Sequence, residues 1–362
     1  MKNNPIPVWL SGFGIPLVQL MLAFGLSSLL VLSIGQSPLD LMSVLVRGSF
    51  NLDTGLPSTL YIAPSLIFTG LAVALAFHAG LFNIGGEGQA YFAGLGVTIV
   101  CLSLGDVLPA PLMFLVAIVA AMVFGGAYGF IPGVLQAKRG AHVVVTTIML
   151  NYIMFSFMNY AMRFWISKSE GSTDSANFAA DSVLPRLSEM LPFLGFADTP
   201  FNFAFFLALV AAALVWWLIW RSRLGYEIRV VGQNPQAAAY AGISVSKIII
   251  ITMVISGALA GLMAVNVVYG AQGRLSLSFT SGIGFMGIAV ALMGRNHPVG
   301  VVLSALLFGA LAQGGSEMQF DLPDISPEFN VVIQGLIIFF VAALDGLVRK
   351  PIETWYQNTR GA

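Results

Sequence analysis

Three long stretches of this chain carry no charged side chain: residues 3–39, 54–86 and 107–137. A helix needs about 20 apolar residues to cross a bilayer, and each stretch exceeds that. Inside hydrocarbon the backbone must satisfy its own polar groups, which restricts spanning structures to helices and closed barrels. Barrel strands are about 10 residues of alternating polarity, and no window here has that pattern. The chain therefore reads as an all-α polytopic membrane protein, a single transmembrane domain over residues 1–362. Of its 362 residues 57% are hydrophobic and 9% charged, whereas an ordinary soluble domain has about 25% charged. Sixteen Lys+Arg balance sixteen Asp+Glu, so the basic excess that nucleic acid requires is missing. A lone cysteine, Cys101, excludes a disulfide framework.

Apolar periodicity and length predict about ten transmembrane helices, near 15–33, 56–77, 88–104, 111–135, 143–164, 201–220, 248–269, 279–293, 298–311 and 331–344. The first run follows one basic residue, Lys2. It is too long for a signal-peptide core and lacks a small-residue cleavage site, so it reads as a retained helix.

Basic residues in loops orient such a chain. Lys138 with Arg139, the connection 221–247 (Arg221, Arg223, Arg229 and Lys247), Arg295, and Arg349 with Lys350 share one side if there are ten spans. That side is expected to be cytoplasmic, together with both termini. The opposite connections are acidic: residues 166–200 hold five acids against two bases, and residues 315–329 hold four acids and no base.

The connection between the second and third spans is irregular. Residues 78–89 are too apolar for an ordinary loop and too rich in glycine for an ordinary helix. They predict a loop or a helix broken within the membrane, which is tolerated where protein or a water-filled cavity satisfies the backbone. Glu87 is the only acid between Asp53 and Asp106. A carboxylate near hydrocarbon faces a partner or a cavity. Asn83 and Gln89 add two amides. Two roles fit: a polar lining or gate of a translocation path, or a structural hinge in which Glu87 caps the next helix.

Two further constellations stand out. In residues 229–243, Asn234 suits an N-cap and Pro235 the first helical position, and Gly242 suits a terminator. The pattern predicts a two-turn cytoplasmic helix lined with small residues, either a docking element or a plain connector. Within the spans, Asn151 and Tyr152 fall near the middle of the fifth and Asn266 late in the seventh. Such amides serve as helix–helix glue or as contacts to a polar, uncharged solute.

The chain lacks a phosphate-binding G-x-x-x-x-G-K-[ST] loop. His78, His142 and His297 are too scattered in sequence to suggest a metal site. Tandem intramembrane carboxylates expected of an ion-coupled pump are also missing.

Residues 80–89 read GLFNIGGEGQ, residues 146–152 read TTIMLNY, and Gly232, Asn234, Ala237, Ala238, Gly242 and Ile243 form a spaced loop motif. In that order they resemble the signatures of bacterial ABC-importer permeases for simple sugars and nucleosides, relatives of the ribose and branched-chain amino-acid permeases. The resemblance spans about residues 57–345, and the EGQ variant points to the nucleoside branch. Gly86 stands where the family more often has an aliphatic residue. The resemblance implies a type II ABC-importer-like permease fold in the bacterial cytoplasmic membrane. For such a permease, the polar residues singled out above, Asn83, Glu87, Gln89, Asn151, Tyr152 and Asn266, are the expected substrate path or gate. The resemblance makes 221–247 the coupling loop and 232–243 the helix received by the ATPase. It further implies a second, non-identical permease subunit and an ATPase with two nucleotide-binding domains, which holds the ATP and Mg. An extracytoplasmic lipoprotein receptor would deliver the solute. No cofactor and no catalytic residue are expected in this chain. A nucleoside is the first expectation for the solute and a simple sugar the second. An ion-coupled carrier and a membrane-embedded enzyme are the competing classes.

Overall fold

The computed structural model describes residues 15–33, 35–167, 169, 172–190, 196–321, 331–336 and 339. The described residues are mostly helical, contain no strand beyond isolated bridges, and divide into two compact units.

One unit comprises Met1–Asn51 and Ala310–Ala362. Helix α1 covers Ile15–Ser33, the bounds expected from sequence. Helix α2, Pro38–Phe50, was not expected. Ser37 caps it, its Oγ accepting from the Asp40 amide at 3.4 Å, and Pro38 starts it. Leu41, Val44 and Leu45 form its buried stripe at the i, i+3, i+4 spacing of an amphipathic helix. Within this unit, the Ser49 hydroxyl donates to the Ala310 carbonyl at 2.5 Å, and Arg47 pairs with Asp321.

The other unit comprises Leu52–Gly309. Its helices are α3 (Gly55–His78), α4 (Gly86–Leu104), α5 (Ala110–Arg139) and α6 (Val143–Ala161), the last continued by a π-turn over Met162–Ile166. A single turn, α7 (Leu187–Met190), precedes α8 (Ala204–Arg221), α9 (Arg223–Gln233) and α10 (Pro235–Tyr240). Helix α11 (Val245–Gly261) runs on into a π-helix over Val265–Gln272, followed by α12 (Ile283–Met293) and α13 (Pro298–Asp321). Helix α13 begins in this unit and ends in the first.

Helix α3 is the axis of this unit: 78% of its apolar window is buried, against 28% for the span built on α6. The sequence explains this. Half of residues 63–76 are Ala, Gly, Ser or Thr, small enough for neighbouring helices to close in. Helices α5 and α11 pack backbone against backbone. Gly125 and Gly129 face Gly257, Gly261 and Met253 so tightly that a Cβ at Gly125 would strike the Gly257 carbonyl, and one at Gly129 the Met253 carbonyl. Only small residues at i, i+4 permit that contact.

Seven described helices are long and apolar enough to cross a membrane: Gly55–His78, Gly86–Leu104, Ala110–Arg139, Val143–Ile166, Ala204–Arg221, Val245–Gln272 and Pro298–Met318. The expected count of ten is not reached among the described residues. The eighth expected span, 279–293, is corrected to the 11-residue α12, roughly 16 Å long and short of the ~30 Å hydrocarbon core. Left-handed backbone at Ser281 (φ 46°) and Gly282 (φ 79°) prevents its extension toward residue 279. The ninth, 298–311, is extended to Asp321. The tenth, 331–344, lies mostly outside the described residues, as do Arg349, Lys350 and the acidic residues Asp324 and Glu328.

Within the connection 166–200, described residues 172–178 are tied to 273–277. The amides of Ser175, Phe178 and Leu277 donate to the carbonyls of Leu275, Gly273 and Thr173 at 2.8–3.0 Å. Arg274 lies 3.4 Å from Asp174.

Candidate functional site: a broken helix between two helix N-termini

Residues 78–89 form neither a continuous helix nor a free loop. Helix α3 ends at His78. Gly80, at φ 69°, supplies the left-handed residue that closes it. The Leu81 and Gly80 amides return to the Ala76 and Phe77 carbonyls at 3.0 Å, the pairing of a Schellman ending. Residues 81–84 are irregular, and α4 begins at Gly86. Most of the segment is buried. Its polar groups must therefore find partners in protein.

Three amide side chains supply them. Asn83 Oδ1 accepts from the Gly85 amide at 2.8 Å, a local turn of the Asx kind. Its Nδ2 donates to Gln89 Oε1 at 3.0 Å and to Ser256 Oγ at 2.8 Å. The Ser256 hydroxyl donates in turn to the Ala72 carbonyl of α3 at 2.6 Å. Asn151 of α6 accepts from the Gly88 amide at 2.9 Å and donates to the Ile84 carbonyl at 2.9 Å. The Gly88 amide is one of the first-turn donors that a helix cannot satisfy internally, so α6 caps α4.

Glu87 does not cap its own helix. Its Oε1 accepts from the Gly282 amide at 3.0 Å and its Oε2 from the Gly284 amide at 2.8 Å. Both amides lie at the start of α12. The N-termini of α4 and α12 meet where Gly86 faces Gly284: a Cβ on Gly86 would lie 3.2 Å from the Gly284 carbonyl oxygen. A helix N-terminus carries a partial positive charge. Two such ends face one another here, and Glu87 is the anion between them.

The six expected path residues thus separate into three groups. Asn83 and Gln89 are each 1% exposed and bonded to one another. Asn266 lies elsewhere in the unit, its Nδ2 donating to the Tyr61 carbonyl and to Ser65 Oγ at 2.9 and 2.8 Å. Its Oδ1 accepts from Asn202 at 3.1 Å. Glu87, Asn151 and Tyr152 come together and line one cavity of about 510 Å³, with Tyr91, Phe155 and Phe285 among its other walls.

Sequence reasoning missed Ser256, Asn202, Gly282 and Gly284. Ser256 and Asn202 each break an otherwise apolar stretch, which was a signal; the two glycines look like ordinary turn residues until their partner is known.

The loop motif of residues 232–243 folds into the short helix that its spacing predicts. Asn234 Oδ1 accepts from the Ala237 amide at 3.0 Å, and Pro235 opens α10. The Ile243 and Gly242 amides return to the Ala238 and Ala239 carbonyls at 3.0 Å, with Gly242 at φ 79°. Ala238 is fully buried, whereas Tyr240 is 95% exposed. Gly232, at the end of α9, lies against the turn that ends α3. A Cβ there would lie 2.9 Å from the Gly80 nitrogen and would strike the His78 carbonyl. The loop and the broken segment are therefore in direct backbone contact. Two histidines distant in sequence converge nearby: the His78 and His297 rings lie 5.3 and 5.0 Å from the Trp220 ring.

Residues 56–342 match the model of a family described as branched-chain amino acid transport system / permease component. The chain is 36% identical over 334 residues to the nucleoside ABC transporter permease protein NupB of Lactococcus lactis, covering 91% of this chain and 90% of that one. It is 36% identical over 336 residues to the guanosine ABC transporter permease protein NupP of Bacillus subtilis, covering 92% and 94%. It is also 34% identical over 359 residues to the glucose ABC transporter permease protein TsgB13 of Haloferax volcanii, covering 97% and 92%.

Proposed function

The chain belongs to the permease-component family of branched-chain amino acid transport systems, and from that premise we propose that it is the membrane subunit of an ATP-driven importer for a nucleoside. It is a multi-pass membrane protein and an ABC transporter permease. The observation that carries the nucleoside reading is the 36% identity, over more than nine tenths of the chain, to two permeases named for nucleoside and guanosine transport. The glucose permease at 34% favours a simple sugar as the second reading.

In this account the chain pairs with a second, non-identical permease in the bacterial cytoplasmic membrane. ATP and Mg are held by a partner ATPase with two nucleotide-binding domains, and a receptor supplies solute from outside. Both termini are cytoplasmic. Helix α10 is the element the ATPase receives, and its exposed face supports that role. Movement of α9–α10 reaches the broken segment through Gly232 and Gly80, which are too close to slide independently. The segment carries Asn83 and Gln89 as a bonded pair, so it shifts as one piece. Glu87 and Asn151 hold the starts of α12 and α4 and face the cavity, so a shift there changes what a solute meets.

The test is uptake of labelled guanosine by proteoliposomes holding this chain with its partner subunits and receptor. ATP-dependent guanosine uptake that glucose does not compete with supports the reading. Glucose uptake without guanosine uptake replaces it with the sugar reading.

A further inference from the structure

The cavity beside Glu87 has a donor and acceptor set more specific than a polar path requires. Its volume of about 510 Å³ lies within the roughly 300–1,000 Å³ of small-molecule sites. An ionised carboxylate offers about four lone-pair positions. Each Glu87 oxygen uses one on an α12 amide, which leaves one on each. Asn151 uses one N–H and one lone pair on α4 and its preceding residues, which leaves one of each. The Tyr152 hydroxyl has no hydrogen-bond partner among the described residues, and the side chain is 69% exposed. Around these groups stand the rings of Tyr91, Phe155 and Phe285, the latter two 47% and 46% exposed.

Among the described residues no lysine or arginine lines the cavity. With no cationic side chain in the lining to pair with it, a carboxylate on the solute gains nothing beside Glu87, so the site suits a neutral solute. A vicinal diol donates two hydrogen bonds to the two oxygens of one carboxylate, and these charge-assisted bonds are stronger than neutral ones. Flat aromatic faces take a flat heterocycle by stacking. Resting on the importer reading above, we propose that this cavity is the nucleoside subsite of the permease itself: Glu87 accepts from the 2′- and 3′-hydroxyls of the ribose, and Tyr152, Phe155 and Phe285 receive the base. The site then selects ribonucleosides against deoxygenated analogues independently of the receptor.

Cys101, the chain's single cysteine, is 1% exposed. The substitution Ile148→Cys, at a cavity-lining residue outside the proposed ribose and base contacts, therefore places the one accessible thiol of this chain in the cavity. The experiment uses the full complex of both permeases and the ATPase in nanodiscs, without receptor, and reads maleimide labelling on this chain by mass. Guanosine at ten times its half-protecting concentration is expected to slow labelling about tenfold, by simple occupancy. The analogue 2′,3′-dideoxyguanosine is expected to need at least about tenfold more for equal protection, having lost both hydroxyl donors. Glu87→Gln is expected to bring the two nucleosides together. The comparison of nucleosides uses native Glu87, so it decides the matter even where that variant does not assemble.

Equal protection by the two nucleosides overturns the ribose assignment. Labelling blocked equally with and without nucleoside overturns it as well, because a partner subunit then fills the cavity. Unprotected labelling in a complex that imports guanosine on ATP overturns the subsite while leaving the importer reading intact. Failure of the native complex, with its receptor, to import guanosine overturns both.

Discussion

The Gly284 amide donates to Glu87 Oε2 at 2.8 Å, tying the first turn of α12 to the first turn of α4, 197 positions away in sequence. With the Gly282 amide on Oε1, the carboxylate satisfies two donors of α12 and lies between two positive helix ends. Glu87→Ala leaves the buried Gly284 amide without a partner and removes the charged acceptor of the more exposed Gly282 amide. A hydrogen bond to a charged group is worth about 1.5–3 kcal/mol, so the loss is expected to be about 2–4 kcal/mol. A lowered unfolding midpoint in detergent checks it, with Glu87→Gln intermediate because its amide offers one acceptor oxygen. An unchanged midpoint for Glu87→Ala contradicts the capping role.

Asn83→Ala is expected to destabilise the chain by about 1–3 kcal/mol, because it leaves the Gly85 amide and the Gln89 side chain without their Asn83 partner in a buried setting. Tyr152→Ala, at an exposed position with no hydrogen bond among the described residues, is expected to leave stability nearly unchanged. Comparing the two unfolding midpoints separates the bonded pair from the cavity wall. Equal midpoints contradict the distinction.

Gly232→Val puts a branched side chain where the His78 carbonyl and the Gly80 nitrogen stand. Overpacking of this kind costs about 1–3 kcal/mol. Because the contact joins the proposed coupling loop to the broken segment, ATP hydrolysis by the assembled complex is expected to persist while uptake falls at least about tenfold. Parallel loss of hydrolysis and uptake, with normal assembly, contradicts a transmitting contact.

Tyr240→Asp and Ala238→Leu are expected to fail differently. Tyr240 is 95% exposed at the tip of α10, so its replacement leaves the fold intact and weakens capture of the ATPase. Ala238 is fully buried, so leucine there distorts α10 itself. Co-purification of the ATPase with membrane-inserted chain checks both. Undiminished ATPase recovery with Tyr240→Asp contradicts docking on this face.

Local chemistry made much of this legible in the sequence. Asn234, Pro235 and Gly242 act through neighbours a few residues away, so α10 and its ends followed from the spacing. The glycine-rich run at 78–89 announced a break because few residues other than glycine tolerate such a backbone. Distant partners were not legible. That Glu87 caps α12 rather than the next helix depends on α4 and α12 meeting at Gly86 and Gly284, which sequence spacing does not encode. Asn83, Glu87 and Gln89 look alike as polar residues of one segment, yet their directions divide them between interior and cavity. The eighth expected span was drawn too long because apolarity runs through the left-handed turn at Ser281 and Gly282, so residues 279–282 read as helix. Helix α2 was passed over because Asp40 and Arg47 interrupt its apolar residues, although Ser37–Pro38 marks its start.

The central claim, that this chain is a conduit moved by a partner's ATP hydrolysis, is tested most directly by guanosine uptake into proteoliposomes containing the complete complex. A matched complex carries a Walker-lysine substitution in the ATPase, and a third preparation holds this chain alone under a proton or sodium gradient. The account predicts ATP-dependent uptake in the first and none in the other two. Uptake by the chain alone, driven by either ion gradient, contradicts it.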